Sequence, residues 1–301
     1  MRWRTFFEGI FLGNYFYGIC AAALSVEASL QQRYPLNDWS FYLLLAAGSI
    51  WYYTKAYITD TPGNSQNKRS KWYRTHSVFV RQSQRLLLGL IVFALAWILL
   101  RYGNAIKKIS SLQLLMTLPF PLLGILYYGV SNAGHRYSLR NIGWMKPFLI
   151  GFIWAGLVTV YPIVFAQLSR QIDHGFSPIQ LLLFIKNFMF VTVLCIMFDI
   201  KDYATDANQQ LKTFVVKTGL RHTIFYILIP LCIAGLGCFL LYGFTHGFSG
   251  MKIFLNTIPF LLTIAVAYSL HKRKSILYYL VLIDGLMLVK ALCGITAMLW
   301  F

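Results

Sequence analysis

Acidic residues are scarce in this sequence. Only nine Asp and Glu stand against 27 Lys and Arg in 301 residues, and charged residues of both signs make up just 12% of the chain. Hydrophobic residues make up 58% and the mean hydropathy is +0.60, which is far too apolar for an ordinary soluble domain. The composition excludes that class and indicates a polytopic membrane protein.

Cysteine and histidine also offer little chemistry. The five cysteines all lie in apolar stretches, are odd in number and form no Cys-x-x-Cys pair, so we interpret them as small packing residues. The six histidines are dispersed, and no spacing places two of them on one helical face as zinc ligands. The sequence therefore argues against a zinc site.

Long apolar stretches predict nine transmembrane helices within one domain that covers residues 1–301. Each stretch is close to the roughly 20 residues that cross a bilayer. The predicted spans are 7–25, 39–59, 84–101, 112–130, 147–168, 178–199, 223–243, 251–270 and 275–299. We keep the first as a helix, because no signal-peptide cleavage pattern follows it. The expected fold is an all-α bundle of nine membrane-spanning helices.

The distribution of basic residues favours a cytoplasmic N-terminus. With that orientation, 19 of the 27 Lys and Arg fall in cytoplasmic segments or at the cytoplasmic ends of spans and six on the outside, while Lys186 and Lys290 lie deep within predicted spans. The formal net charge of +18 then follows from topology and from attraction to anionic lipid headgroups. We expect no nucleic-acid partner, because no soluble basic domain presents this charge.

One third of the acids is concentrated where the sixth predicted helix ends. Asp199, Asp202 and Asp206 stand at i, i+3 and i+7 and so share one helical face. Carboxylates this close repel one another unless a cation or basic groups compensate. The spacing predicts a divalent-metal site; the alternative is a solvated helix end that Lys201 and Lys212 neutralise.

This acidic stretch resembles the second aspartate motif of the UbiA superfamily of intramembrane prenyltransferases, D-x-x-D-x-x-x-D-x-x-x-G-x-x-T-x-x-V-x-x-G. The three aspartates, Thr213, Val216 and Gly219 fall in register, and Gln210 replaces a glycine. In that family the motif follows the sixth of nine helices, as predicted here. The resemblance implies transfer of a prenyl group from a polyprenyl diphosphate to a hydrophobic, commonly aromatic, acceptor within the bilayer, with Mg²⁺ held by Asp199, Asp202 and Asp206.

The family's first aspartate motif, N-D-x-x-D-x-x-x-D at the end of helix two and then Asn-x-Arg, is reduced in this chain. Asp60 remains, Asn67-Lys68-Arg69 resembles the basic half, and tyrosines 52, 53 and 57 stand where further acids are expected. The resemblance implies that Asp60 joins the metal ligands and that Asn67 and Arg69 assist in binding diphosphate.

The connection between the fourth and fifth predicted helices carries Arg136, Arg140 and Lys146. Its placement resembles the connection that contacts the diphosphate in the family; the alternative is that these residues only anchor the chain at the membrane surface. No residue is assigned as a general base.

Two other functions stay open. One is a catalytically impaired member that binds an isoprenoid without transferring it, and the other is a transporter. For five of the polar residues within predicted spans we favour a structural ion pair inside the bundle over catalysis: Glu8, Asn14, Lys186, Asp284 and Lys290.

Overall fold

A computed structural model describes residues 2–59, 68–132, 135–137, 139, 142–172, 178–208, 213–272 and 274–301. This part of the chain is helical except for its connections and one short hairpin, in which β1 (Val130–Asn132) pairs antiparallel with β2 (His135–Tyr137). The predicted all-α class is confirmed.

Seven helical segments of the described chain are long and apolar enough to cross a membrane. They are Ser77–Ile106, Ser111–Tyr128, Lys146–Arg170, Gln180–Tyr203, Leu220–Thr245, Gly250–Ser269 and Tyr279–Trp300. They correspond to the third to ninth predicted spans. The chain is thus a multi-pass membrane protein.

The first two predicted spans differ from these seven. The first is not one helix, because α1 (Arg2–Leu12) ends before a break at Gly13 and Asn14, and α2 (Tyr15–Gln31) has only 17 residues. Asn14 causes the break, since its φ of +67° lies in the left-handed region and cannot continue a helix. The second, α3 (Trp39–Thr59), has the predicted bounds and is 21 residues long, but its tyrosines, serines and Lys55 make it more polar. The count of nine spans is therefore not confirmed.

The other helices follow in chain order. They are α4 (Lys68–Thr75), α5 (Ser77–Ile106), α6 (Ser111–Thr117), α7 (Pro119–Tyr128), α8 (Lys146–Ala155), α9 (Tyr161–Arg170), α10 (Gln180–Asn208), α11 (Phe214–Thr218), α12 (Leu220–His222), α13 (Ile229–Thr245), α14 (Gly250–Ser269), α15 (Ile276–Tyr278) and α16 (Asp284–Trp300). Three π-helical segments join successive helices: Gly156–Val160, Thr223–Leu228 and Tyr279–Ile283. Such segments are rare in proteins overall, and those that occur often lie at functional sites.

The helices pack around α2 and α10. Helix α2 lies against α3 and α16, α10 lies against α8 and α13, and α14 lies against α13 and α16. Gly151 brings α8 close to α10, because a Cβ at that position would overlap Thr192, and small residues allow such approaches between membrane helices. The main core, which includes Phe16, Phe190 and Met287, fills the centre. Beside this core, α2, α3, α7, α8, α10 and α16 surround a cavity.

Candidate active site

The cavity has a volume of about 700 Å³, which is in the range of small-molecule sites. It is elongated, because α3 lines it from Phe41 to Tyr57, which are roughly 24 Å apart at about 1.5 Å per residue. Leu45, Phe120 and Leu157 are among the apolar side chains on its wall.

Charged side chains are concentrated toward one end of this cavity. Arg69 lies on α4, which follows the C-terminal end of α3; Lys146 is the first residue of α8, and Lys201 lies toward the C-terminal end of α10. The opposite end is apolar and aromatic, since Phe41 is near the start of α3 and Tyr161 begins α9. The cavity therefore suits an amphipathic ligand with a charged head and an apolar chain.

Asp199 is the central acid of the charged end. It is only 5% exposed, and Lys146 Nζ donates a hydrogen bond to its Oδ1 at 3.1 Å. The other carboxylate oxygen, Oδ2, is buried and has no hydrogen-bond partner within the described chain. A buried acceptor left without a partner costs roughly 1–3 kcal/mol. Oδ2 is therefore the atom that a bound cation or hydrogen-bond donor would satisfy.

Asp202 lies three residues further along α10 and also lines the cavity. Its side chain is half exposed, and Oδ2 forms an ion pair with Lys201 at 3.1 Å. The alternative of a solvated helix end that lysines neutralise therefore fits Asp202 in part. It does not fit Asp199, which is buried and pairs with Lys146. The side chain of Asp206 lies outside the described residues, although its backbone belongs to α10.

The predicted set of metal ligands is only partly placed. Asp60 and Asn67 lie outside the described residues. Among the residues that are described, no group of three or more His, Cys, Asp and Glu is arranged to hold a metal ion. The structure brings together two of the four predicted ligands, Asp199 and Asp202, at one cavity wall.

Arg69, a residue of the predicted diphosphate site, lies in α4, and its side chain is described. It is buried, it donates through Nη2 to Asn14 Oδ1, and its guanidinium lies 4.3 Å from the centre of the Tyr57 ring. Asn14 Nδ2 donates to Thr54 Oγ1 at 3.1 Å and to the Tyr73 hydroxyl at 2.9 Å. Burial raises the pKa of Tyr73 to about 12, so this hydroxyl is neutral at neutral pH. Asn14 thus joins three helices and positions Arg69 at the cavity.

Of the three predicted phosphate-binding residues between the fourth and fifth predicted helices, one lines the cavity and two have side chains outside the described residues. Lys146 lines the cavity and holds Asp199, as described above. The side chains of Arg136 and Arg140 lie outside the described residues.

Tyrosines form much of the wall next to the charged end. Tyr17 stacks on Tyr53 at 4.8 Å between ring centres, and Trp154 Nε1 donates to the Tyr53 hydroxyl at 2.5 Å. Tyr52 packs on Tyr128 at 4.7 Å. We did not predict this aromatic wall; its signal in the sequence is the concentration of tyrosines near the ends of two predicted helices.

The intramembrane polar residues take different roles. Lys186 and Lys290 both bind Glu27, at 3.2 Å and 2.6 Å, so the predicted structural pairing inside the bundle is confirmed for the two lysines. Asp284 instead lines the cavity and accepts a hydrogen bond from the Tyr17 hydroxyl at 3.0 Å. The predicted ion pair is thus not its described contact.

Comparisons of the chain with models of protein families, with curated proteins and with solved structures find no match.

Proposed function

We propose that the protein is a Mg²⁺-dependent intramembrane prenyltransferase, which moves a prenyl group from a polyprenyl diphosphate to a hydrophobic acceptor. One observation carries this proposal: a single elongated cavity has carboxylates and cations at one end and apolar, aromatic walls along the rest. A prenyl diphosphate has the same division between an anionic head and an apolar chain. The aspartate motif at the charged end supports the assignment.

Cations at the charged end would bind the diphosphate. Arg69, Lys146 and Lys201 line the cavity there, and the resemblance adds Asn67, Arg136 and Arg140. Negative charge grows on the diphosphate as the allylic carbon–oxygen bond breaks, and positive groups fixed beforehand stabilise that charge. The aromatic walls would exclude water from the allylic cation, and their ring faces would stabilise it.

The carboxylates fit a magnesium ion. Mg²⁺ in proteins is usually bound by one or two carboxylates together with substrate phosphates and waters. Asp199 Oδ2 lacks a partner within the described chain and Asp202 is accessible, and the resemblance adds oxygens from Asp206 and Asp60. A bound Mg²⁺ would neutralise charge on the diphosphate as it leaves. Lys146 holds Oδ1 of Asp199 and so orients the carboxylate without using Oδ2.

We also propose nine membrane crossings with the N-terminus and the charged end of the cavity in the cytoplasm. The packing of α2 against α16 and of α3 against α5 supports this, because each would place a less apolar helix beside a membrane-spanning one. Cysteines introduced at Ser70, in α4 before α5, and at Ser110, beyond the other end of α5, test the orientation. An impermeant maleimide should label Ser70→Cys only from the cytoplasmic face and Ser110→Cys only from the other.

The decisive test of function measures binding of labelled geranylgeranyl diphosphate to the purified protein, with Mg²⁺ or with a chelator. We expect Asp202→Asn to weaken the metal-dependent binding about tenfold or more, because one hard oxygen ligand loses its charge. Asp38→Asn is the matched control. Asp38 Oδ1 accepts a hydrogen bond from the Trp39 N–H at the other end of α3, and an Asn side-chain oxygen can accept the same bond. If the folded wild type neither binds the diphosphate nor releases pyrophosphate, the proposal fails.

A second function, binding of an isoprenoid without transfer, is favoured by the Lys146–Asp199 contact. The Lys146 ammonium already neutralises this carboxylate at 3.1 Å, so an anionic head could bind without a metal. Binding that a chelator leaves unchanged, with no release of pyrophosphate to any acceptor, would support this second function over transfer.

A further inference from the structure

Asp284 is a buried carboxylate on the cavity wall that the proposed diphosphate site does not use. It is 3% exposed and lies on the face of its helix that borders the cavity, in line with Ile276, Leu280 and Met287. All four residues line the cavity, so this stretch of the helix presents one side to it. Its neighbours on that face are apolar, unlike those of Asp199.

The backbone before Asp284 is unusual. The π-helical segment Tyr279–Ile283 ends immediately before it, and Asp284 is the first residue of α16. A π-helical turn shifts the residues that follow it around the helix axis, and such turns are frequent at functional sites.

The contacts of Asp284 leave one oxygen for a ligand. The Tyr17 hydroxyl donates to Oδ2 at 3.0 Å, and Tyr17 is itself fixed by stacking on Tyr53. Across the described ranges, Oδ1 accepts no hydrogen bond and no lysine, arginine or histidine forms an ion pair with the carboxylate. An acid in a membrane-spanning helix without a cation in contact is costly and marks a functional site by default.

We propose that Asp284 and Tyr17 form the site for the second substrate, a hydrophobic aromatic compound that carries a hydroxyl group. This inference rests on the proposed function. The acceptor hydroxyl would donate to Oδ1, and the rings of Tyr17, Tyr53 and Trp154 would pack against the aromatic ring. Aromatic rings make up most of these surroundings and suit the ring of the acceptor, while Arg69 and Lys201 act on the carboxylate electrostatically without forming an ion pair with it in the described chain.

The carboxylate also accounts for the proton of the reaction. The allylic carbon–oxygen bond breaks and the diphosphate leaves with the electron pair. The acceptor oxygen forms a new bond to the allylic carbon as its O–H bond breaks, and the hydroxyl proton passes to Oδ1 of Asp284. Water then takes the proton as product leaves. A positioned acid or base of this kind contributes a factor of roughly 10² to 10⁴ to the rate.

The test compares two ligands by calorimetry: 1-naphthol as the hydroxyl-bearing probe and 1-methoxynaphthalene as its matched control. Wild-type protein should bind the naphthol about tenfold more tightly, as expected for one hydrogen bond to a charged acceptor. In Asp284→Asn the preference should fall to about threefold, because a neutral acceptor is roughly half as strong. In Asp284→Leu the preference should vanish. A wild type without preference, or an Asp284→Leu variant that keeps it, overturns the inference.

Geranylgeranyl diphosphate binding in the same variants separates this inference from the proposed function. Asp284→Asn should keep diphosphate affinity within about twofold, which also reports an intact fold, and should slow prenyl transfer to 1-naphthol about 100-fold. Asp202→Asn should do the reverse, losing the diphosphate and keeping the naphthol preference. Loss of both ligands in Asp284→Asn overturns the inference, since Asp284 would then support the fold. If the wild-type protein binds 1-naphthol through Asp284 but does not prenylate it, the proposed proton step is wrong.

Discussion

Replacing Glu27 by Gln should strongly destabilise this protein, although the two side chains are similar in size. Glu27 on α2 is 1% exposed and is bound by Lys186 of α10 and Lys290 of α16, at 3.2 Å and 2.6 Å. One carboxylate therefore joins three helices and compensates two ammonium groups. In Glu27→Gln both lysines lose their counter-charge inside the bundle.

The size of the effect follows from what each variant leaves behind. Breaking a buried ion pair costs about 3–5 kcal/mol, and because two ammonium groups lose their counter-charge we expect a cost of about 5 kcal/mol. Lys186→Met is the informative comparison, because Lys290 still neutralises Glu27 in that variant. Its main loss is the donor to Gln31 Oε1, now at 2.7 Å, so the cost should stay below about 2 kcal/mol.

Unfolding in mixed micelles measures the difference. The purified protein in mild detergent is titrated with a denaturing detergent, helicity is followed by circular dichroism, and the free energies of unfolding are compared. Lys108→Met, which removes an exposed lysine, should change the free energy by less than about 0.5 kcal/mol. If Lys186→Met is as damaging as Glu27→Gln, the carboxylate is not the shared counter-charge and the reasoning is wrong.

Three further predictions concern single contacts. Asn14→Leu should cost about 1 kcal/mol more than Asn14→Gly in the same titration, since both lose the hydrogen bonds but only Leu resists a φ of +67°; equal costs would contradict this. Lys146→Met should weaken binding of geranylgeranyl diphosphate about tenfold by removing a cation and freeing Asp199, and an unchanged affinity in the binding assay would exclude that role. Gly151→Val should cost roughly 1–3 kcal/mol by overlapping Thr192, and an unchanged thermal midpoint would show that α8 moves freely away from α10.

Composition and periodicity predict most of the helices, because a run of about 20 apolar residues has few alternatives to spanning a membrane. They do not predict the break at Asn14, which depends on a local backbone conformation and on a side chain that binds Arg69 and Tyr73. They also do not predict how Lys186 and Lys290 are neutralised. Glu27 lies beyond the end of the first predicted span, at 25, and the contacts join residues more than 150 positions apart.

The candidate site shows the same limit. Spacing alone places Asp199 and Asp202 on one helical face, and both line the cavity. The pairing of Asp199 with Lys146 depends on how α8 packs against α10, and no local pattern encodes that packing. The position of the tyrosines on the cavity wall is equally hard to predict from the sequence, since an aromatic ring in a membrane helix faces lipid as readily as a cavity.

Two carboxylates in one cavity can serve opposite chemistry when their surroundings differ. Asp199 commits Oδ1 to a lysine, among cations at helix ends, and so its Oδ2 is placed where an anion and its metal would gather. Asp284 commits Oδ2 to the Tyr17 hydroxyl, and Arg69 and Lys201 act on it electrostatically without pairing with it in the described chain, so its Oδ1 is placed where a hydroxyl donor beside aromatic rings could bind. In the proposed reaction, this difference separates the leaving diphosphate from the incoming nucleophile. Exchanging the two environments, and not merely removing either acid, would therefore be needed to exchange the ligands they bind.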